Sequence, residues 1–200
     1  MKLYFSPGAC SLASHIVLNE AGLAHTLVQV NLKTKKTKDG ADFTAISPKG
    51  YVPTLALDDG RVLTEGTVIL QYLADQKPAA QLAPPAGDFE RYRLQEWLGF
   101  INSEVHKNFS PLFNPAASED MKAAAKANLA RRLEFVAHAL KDREYLTGRY
   151  SVADAYLWVV LSWAGHVGVD LAPFPALAAY QARIAARPAV QAALKAEGLA

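Results

Sequence analysis

Near the start of the chain short apolar runs are broken by proline and glycine, which separates strand from helix. Lys2-Leu3-Tyr4-Phe5 reads as a strand, Ser6-Pro7-Gly8-Ala9 as a turn, and Ser14, Ile16, Val17 and Leu18 as a helix that stops at Gly22. Thr26-Leu27-Val28-Gln29-Val30 alternates and is β-branched, which predicts a second strand. Two strands joined through a helix form a βαβ unit, which must be parallel and right-handed. A basic segment, Lys33-Thr34-Lys35-Lys36-Thr37-Lys38, follows as an expected loose connection.

Asp59-Gly60 lies between two β-rich runs, because glycine tolerates the positive φ of a short hairpin turn, and residues 54–64 are expected to be antiparallel strands. Pro53 stands just before them and biases Val52 toward extended backbone, leaving the Val52 N–H and C=O for an extended ligand. Glu65-Gly66-Thr67 then opens a helix through Val68, Ile69, Tyr72 and Leu73, whose bare N–H groups and positive dipole end attract a carboxylate. That corner suits a peptide bearing carboxylates and an ammonium; it is also compatible with an ordinary hairpin and helix cap. The order β-α-β then β-β-α predicts a four-stranded mixed α/β sheet of thioredoxin-like arrangement, with helices on both faces.

From Pro78 to Asp88 the composition turns to proline, alanine and glycine, as in a linker. The expected division is a domain at 1–80 and an all-α domain at 88–200. In the second, Leu94, Trp97, Leu98, Ile101 and Val105 share one helical face, and Leu129, Leu133, Val136 and Leu140 another. Ser151-Val152-Ala153-Asp154 has the form of a capping box before a helix apolar nearly all round, the predicted centre of that domain. Phe174-Pro175 and Arg187-Pro188 each place proline at the first turn of a short terminal helix.

Composition narrows the classes further. At 51% apolar and 20% charged residues in a 200-residue chain with net charge +2, nothing points to nucleic acid or to disorder. The first residues lack the apolar run of a signal peptide, and Ala155 to Val169 is too short for a bilayer, so no membrane partner is expected. One cysteine excludes an internal disulfide and points to a reducing cytoplasm.

That cysteine, Cys10, stands where the first helix begins, and a helix N-terminus lowers a thiol's pKa. Without a partner cysteine it suits a mixed disulfide with an external thiol; the other reading is a small apolar core residue. Gly99, Ser103, His106 and Ser110 form a helical stripe opposite the apolar face, with Lys107 beside it, leaving room for a ligand around an imidazole. A solvated His-Lys pair is the alternative. His15, His25, His138 and His166 lack acidic or cysteine neighbours at metal-ligand spacing, so no metal site is expected.

Taken together, Ser6-Pro7-Gly8-Ala9-Cys10-Ser11, Tyr51-Val52-Pro53, Leu63-Thr64-Glu65-Gly66, Glu104-Val105-His106-Lys107 and Ser151-Val152-Ala153-Asp154-Ala155-Tyr156 resemble the bacterial beta-class glutathione S-transferases over the whole length. The resemblance implies a homodimer, a thioredoxin-like domain joined to an all-helical one, and glutathione as co-substrate in the cleft between them. By family pattern Cys10 touches or pairs with the glutathione sulfur, flanked by His106 and Lys107. Val52 behind a cis Pro53 pairs with the cysteinyl backbone, Glu65 and Gly66 hold the γ-glutamyl end, Lys35 the glycine end, and Ser103 and Glu104 line the groove. Phe5 and Gly99 depart from the family's frequent tyrosine and asparagine. The implied activity is capture of a small apolar electrophile by glutathione thiolate. Thiol-disulfide exchange through Cys10 and a non-catalytic ligand-carrying scaffold are the alternatives.

Overall fold

The computed structural model describes residues 1–200 and divides them into two compact units, Met1–Pro85 with Ala186–Ala200, and Ala86–Ala185. In the first, strands β1 (Lys2–Phe5), β2 (Thr26–Asn31), β3 (Lys36–Thr37), β4 (Thr54–Ala56) and β5 (Val62–Thr64) form one mixed sheet in the order β3-β2-β1-β4-β5. The β1–β2 pair is parallel, Leu3 facing Leu27, and the other three pairs are antiparallel. Helix α1 (Ser11–Glu20) supplies the crossover and ends at Gly22, whose φ of 62° lets the Leu23 N–H reach back to Leu18 O at 3.0 Å.

The sheet has five strands where four were expected. The basic segment is not loose: Asn31 Oδ1 accepts from the N–H groups of Lys33 and Thr34, the chain turns at Lys35, and Lys36–Thr37 pairs back on β2. The hairpin also differs in detail. Leu57 N–H donates to Arg61 O at 2.8 Å, so the turn spans residues 58–60, with Gly60 at φ 87°, rather than two residues.

Helix α2 (Gly66–Gln76) packs on α1, and Leu12, Ile16, Leu18, Ile69, Leu70 and Leu73 are fully buried there. Each such side chain contributes roughly 2 kcal/mol. A second apolar cluster joins Tyr4, Val30, Phe43 and Val52, with the Tyr4 and Phe43 rings 5.5 Å apart. A single 3₁₀ turn, Phe43–Ala45, stands at this cluster.

The second unit is helical. Helix α3 (Phe89–Phe100) runs through a π-helical segment, Ile101–His106, into α4 (Lys107–Phe113). Helix α5 (Glu119–Ala139) is capped by Ser118, and α6 (Val152–Ser162) is buried at every residue from Val152 to Leu161. The expected central helix is therefore the observed one. Its first turn is anchored by the buried Asp154 carboxylate, which accepts from Ser151 N–H and Oγ–H, Leu146 N–H and the Tyr180 hydroxyl, at 2.8–3.1 Å.

Helices α7 (Pro175–Ala185) and α8 (Pro188–Glu197) begin on their prolines as expected. The expected boundary at 88–200 is corrected: α8 packs on α1 and belongs to the first unit. Arg187 and Glu20 form a forked ion pair at 2.6 and 2.9 Å, and Asn19 Nδ2 donates to Ala189 O, so polar contacts hold it there. No helix is long and apolar enough to cross a membrane.

Candidate active site

In the first unit the turn after β1, the loop before β4 and the start of α2 supply one group of the expected residues. The Val52–Pro53 peptide is cis. Cys10 is the N-cap residue of α1, and its Sγ donates to Val52 O at 3.3 Å. The Val52 carbonyl is thus engaged by the thiol, where it was expected to be available to a ligand. Gly66, opening α2, lies against the Pro53 ring: a Cβ placed on it would meet the ring carbons at 3.7 and 3.8 Å.

Glu65, the residue before α2, is held at φ 69°, a conformation that costs a non-glycine residue of order 1 kcal/mol. Its exposed carboxylate accepts from the Lys49 ammonium at 2.5 Å. A primary ammonium therefore already occupies the place proposed for the γ-glutamyl ammonium. Lys35, itself at φ 56°, donates from Nζ to Gly50 O at 2.9 Å and lies 5.4 Å from the centre of the Tyr51 ring. Thr54 Oγ1 binds Tyr51 O and Ser47 Oγ, pinning the loop between them.

The expectation of an activated thiol is reversed. Burial pushes the Cys10 thiol up to about 11, outweighing the backbone N–H groups of Cys10 and Ser11, which pull it down; the Glu65 charge adds to the rise. The residue keeps some exposed surface, but the thiol itself is buried. The helix start acts in the direction the sequence argument gave it, and desolvation exceeds it. Cys10 is a neutral donor.

Two further residues shape this corner without having been singled out. Ser11 Oγ accepts from Ser6 N–H and donates to Ser6 O, closing the turn that carries Cys10. Glu197 of α8 accepts from Gly8 N–H at 3.0 Å and pairs with His15 Nδ1 at 2.9 Å, both carboxylate and imidazole being buried. A lone acid at the end of an amphipathic terminal helix was the available signal for the second.

In the second unit the π-helical segment carries the other group. A π turn advances each residue by less than an α turn, so residues after it leave the α-helical stripe. Ser103 Oγ donates to Gly99 O at 3.0 Å and Asn108 Nδ2 to Glu104 O, so side chains satisfy carbonyls where the helical ladder changes. Ser103 and Lys107 remain exposed. Glu104 is gripped by Arg132 of α5 through both Nε and Nη2, at 2.8 and 2.7 Å.

His106 does not stand on an open stripe with Gly99 and Ser110. It is half-buried against α6, its Nδ1 2.6 Å from the Tyr156 hydroxyl, which in turn lies 3.1 Å from Asn102 Oδ1. The Trp163 ring meets it edge-on at 4.8 Å. Desolvation, aided by the neighbouring Lys107 charge, pushes the imidazole down to about 4, so it is neutral at physiological pH. Tyr156 and Trp163 were read only as core; a hydroxyl amid an otherwise apolar helix was the signal that one of them does more.

The chain matches the family models for the glutathione S-transferase N-terminal domain over residues 8–76 and C-terminal domain over residues 100–188. It is 50% identical to the glutathione S-transferase GstA of Escherichia coli O157:H7 across all of both chains. Among solved structures it is similar to a sphingomonad glutathione S-transferase complexed with glutathione, at a TM-score of 0.97 and 52% identity over all of both chains. It is similar also to the bacterial beta-class enzyme of Sphingomonas chungbukensis, at a TM-score of 0.98 and 52% identity over the same extent.

Proposed function

The chain belongs to the glutathione S-transferase family, and from that premise we propose that it joins the glutathione thiol to small apolar electrophiles, a detoxifying conjugation. The observation that carries this reading is the Glu65 corner, where a carboxylate in a strained conformation already takes an ammonium from Lys49 beside the cis Val52–Pro53 peptide. Glutathione, a peptide with one ammonium and two carboxylates, matches that polarity. Glu65 and Gly66 take the γ-glutamyl end, Val52 and Pro53 the cysteinyl backbone, and Lys35 the glycine carboxylate.

Cys10, His106 and Lys107 serve the sulfur. The thiol proton of glutathione leaves as its sulfur forms the S–C bond, and a halide or similar group departs with the electron pair of the bond that breaks. His106, neutral, takes that proton; Lys107 supplies positive potential; Cys10, protonated, donates a hydrogen bond toward sulfur. Ser103 lines the same groove, with Glu104 held by Arg132. We propose a cytoplasmic homodimer as the working form.

Thiol-disulfide exchange through Cys10 is the second reading, favoured by the solitary cysteine at this corner. Its raised pKa makes it the slower course, because the thiolate is the attacking species. The test is retention on immobilised glutathione, followed by conjugation of a chloro-nitroaromatic and reduction of a mixed disulfide, with Cys10→Ala alongside. Conjugation that survives in Cys10→Ala is expected. Loss of both reactions in that variant would make cysteine the direct partner of the nucleophile, and failure to bind glutathione would leave only the carrier reading.

A further inference from the structure

The last helix of the chain ends in a placement that its own electrostatics disfavour. Glu197 closes α8, where the helix dipole is negative and repels a carboxylate, and its side chain is fully buried. Gly198 then turns the chain at φ 73°, its N–H on Lys195 O and the Leu199 N–H on Leu194 O. The carboxylate is therefore carried by a closed helix end, not a frayed one.

Two contacts offset that cost. Glu197 Oε1 lies 2.9 Å from His15 Nδ1 of α1, and Oε2 accepts from the Gly8 N–H at 3.0 Å. The second contact reaches the turn that carries Cys10. Gly8 stands two residues before the cysteine at φ 69°, a backbone conformation that glycine adopts without strain. Within the turn Ala9 N–H donates to Ser6 O at 3.0 Å, and Ser11 Oγ bonds both the N–H and the O of Ser6. From outside, Glu197 holds it, and Leu199 lies over Gly8, where an added Cβ would meet the leucine methyl carbons at 3.8 Å.

We propose that Glu197 is a positioning residue that acts through Gly8 on Cys10, keeping the turn closed and the thiol seated on the Val52 carbonyl, 3.3 Å from its sulfur. The inference rests on the reading above, that Cys10 serves the glutathione sulfur, and deepens it by making the C-terminal helix part of the site. The role is the same whichever of Glu197 and His15 holds the proton between them.

Cys10 is the only cysteine, so iodoacetamide followed by intact mass of the full-length protein reads its seating without glutathione. Glu197→Ala should raise the alkylation rate about tenfold over wild type, and Glu197→Gln, whose amide oxygen is a weaker acceptor, about threefold. In conjugation both should raise the KM for glutathione a few-fold with kcat within about twofold of wild type, since a displaced turn weakens ground and transition states alike. A merely structural loss would instead lower the apparent kcat through a smaller folded fraction and leave KM alone. Asn19→Ala is the control. It removes the Asn19–Ala189 bond, which also docks α8 on α1, and should leave the alkylation rate and KM at wild-type values.

Wild-type alkylation rates in both Glu197 variants overturn the proposal, as does an increase in Asn19→Ala equal to that in either of them. Should Glu197→Ala fail to fold, Glu197→Gln decides alone by the same comparison. If the alkylation order holds while the wild-type chain fails to bind immobilised glutathione, the positioning of the thiol stands and the reading of the site it serves is overturned.

Discussion

The two groups best suited to chemistry, the Cys10 thiol and the His106 imidazole, meet the same force with opposite results. Burial raises the thiol to about 11 and lowers the imidazole to about 4. One is an acid neutral when protonated, the other a base neutral when deprotonated, and desolvation drives each to its uncharged form. Each also has one hydrogen bond that suits that form, Cys10 to the Val52 carbonyl and His106 to the Tyr156 hydroxyl. The protein thus presents a donor in one unit and an acceptor in the other, and neither is a resident nucleophile.

The comparison is most sharply broken at His106. If the neutral imidazole takes the thiol proton, His106→Gln should lower kcat for conjugation about 10²-fold or more with little change in the KM for glutathione. The same variant tests the pKa. A histidine held near 4 when folded but titrating near 6.5 when unfolded binds fewer protons in the native state between those values, so stability is full above about 6.5 and falls as pH drops toward 4. The loss amounts to about 3 kcal/mol. Urea unfolding of wild type and His106→Gln at both ends of that window should show a smaller acid loss in the variant.

At Cys10 the expected effect is somewhat smaller. A thiol pushed up to about 11 has roughly 100-fold less thiolate near neutral pH than an ordinary one, so iodoacetamide should alkylate it about that much more slowly than a free cysteine. Alkylation at or above the free-cysteine rate, followed by intact mass, would mean that the helix start outweighs burial after all. Cys10→Ser should leave conjugation within a few-fold of wild type.

These two sites also mark how far the sequence could be read. The β-α-β order, the hairpin, the capping box at Ser151 and the central apolar helix were legible because period, proline, glycine and Asx signals are local. The β3 pairing was hidden among lysines, and the docking of α8 on α1 depends on contacts with residues some 170 positions away in the chain, such as Asn19 with Ala189. The π-helical segment leaves Leu94, Leu98, Ile101 and Val105 buried, so the apolar pattern alone is satisfied with or without it. The sign of the Cys10 shift required knowing what surrounds the sulfur, a property of the folded chain and not of its spacing.

Replacing Glu65 with Gln keeps the shape of the first unit's corner but removes the charge that meets an ammonium. A charge-assisted hydrogen bond weakened to a neutral one should raise the KM for glutathione about tenfold with kcat nearly unchanged, since this contact is made equally in ground and transition states. The Cys10 pKa should also fall slightly, because the Glu65 charge is one cause of its rise.

Lys49→Ala addresses the same carboxylate from the other side. In the free protein the Lys49 ammonium holds Glu65 at 2.5 Å, so an incoming ammonium has to displace it. Both side chains are more than half exposed, and such a pair contributes no more than about 1 kcal/mol. Its removal should therefore tighten glutathione binding by only a few-fold, read as a lower KM or by calorimetry. Weaker binding in Lys49→Ala would show instead that Lys49 itself contacts glutathione, and Glu65 would then be acting through it.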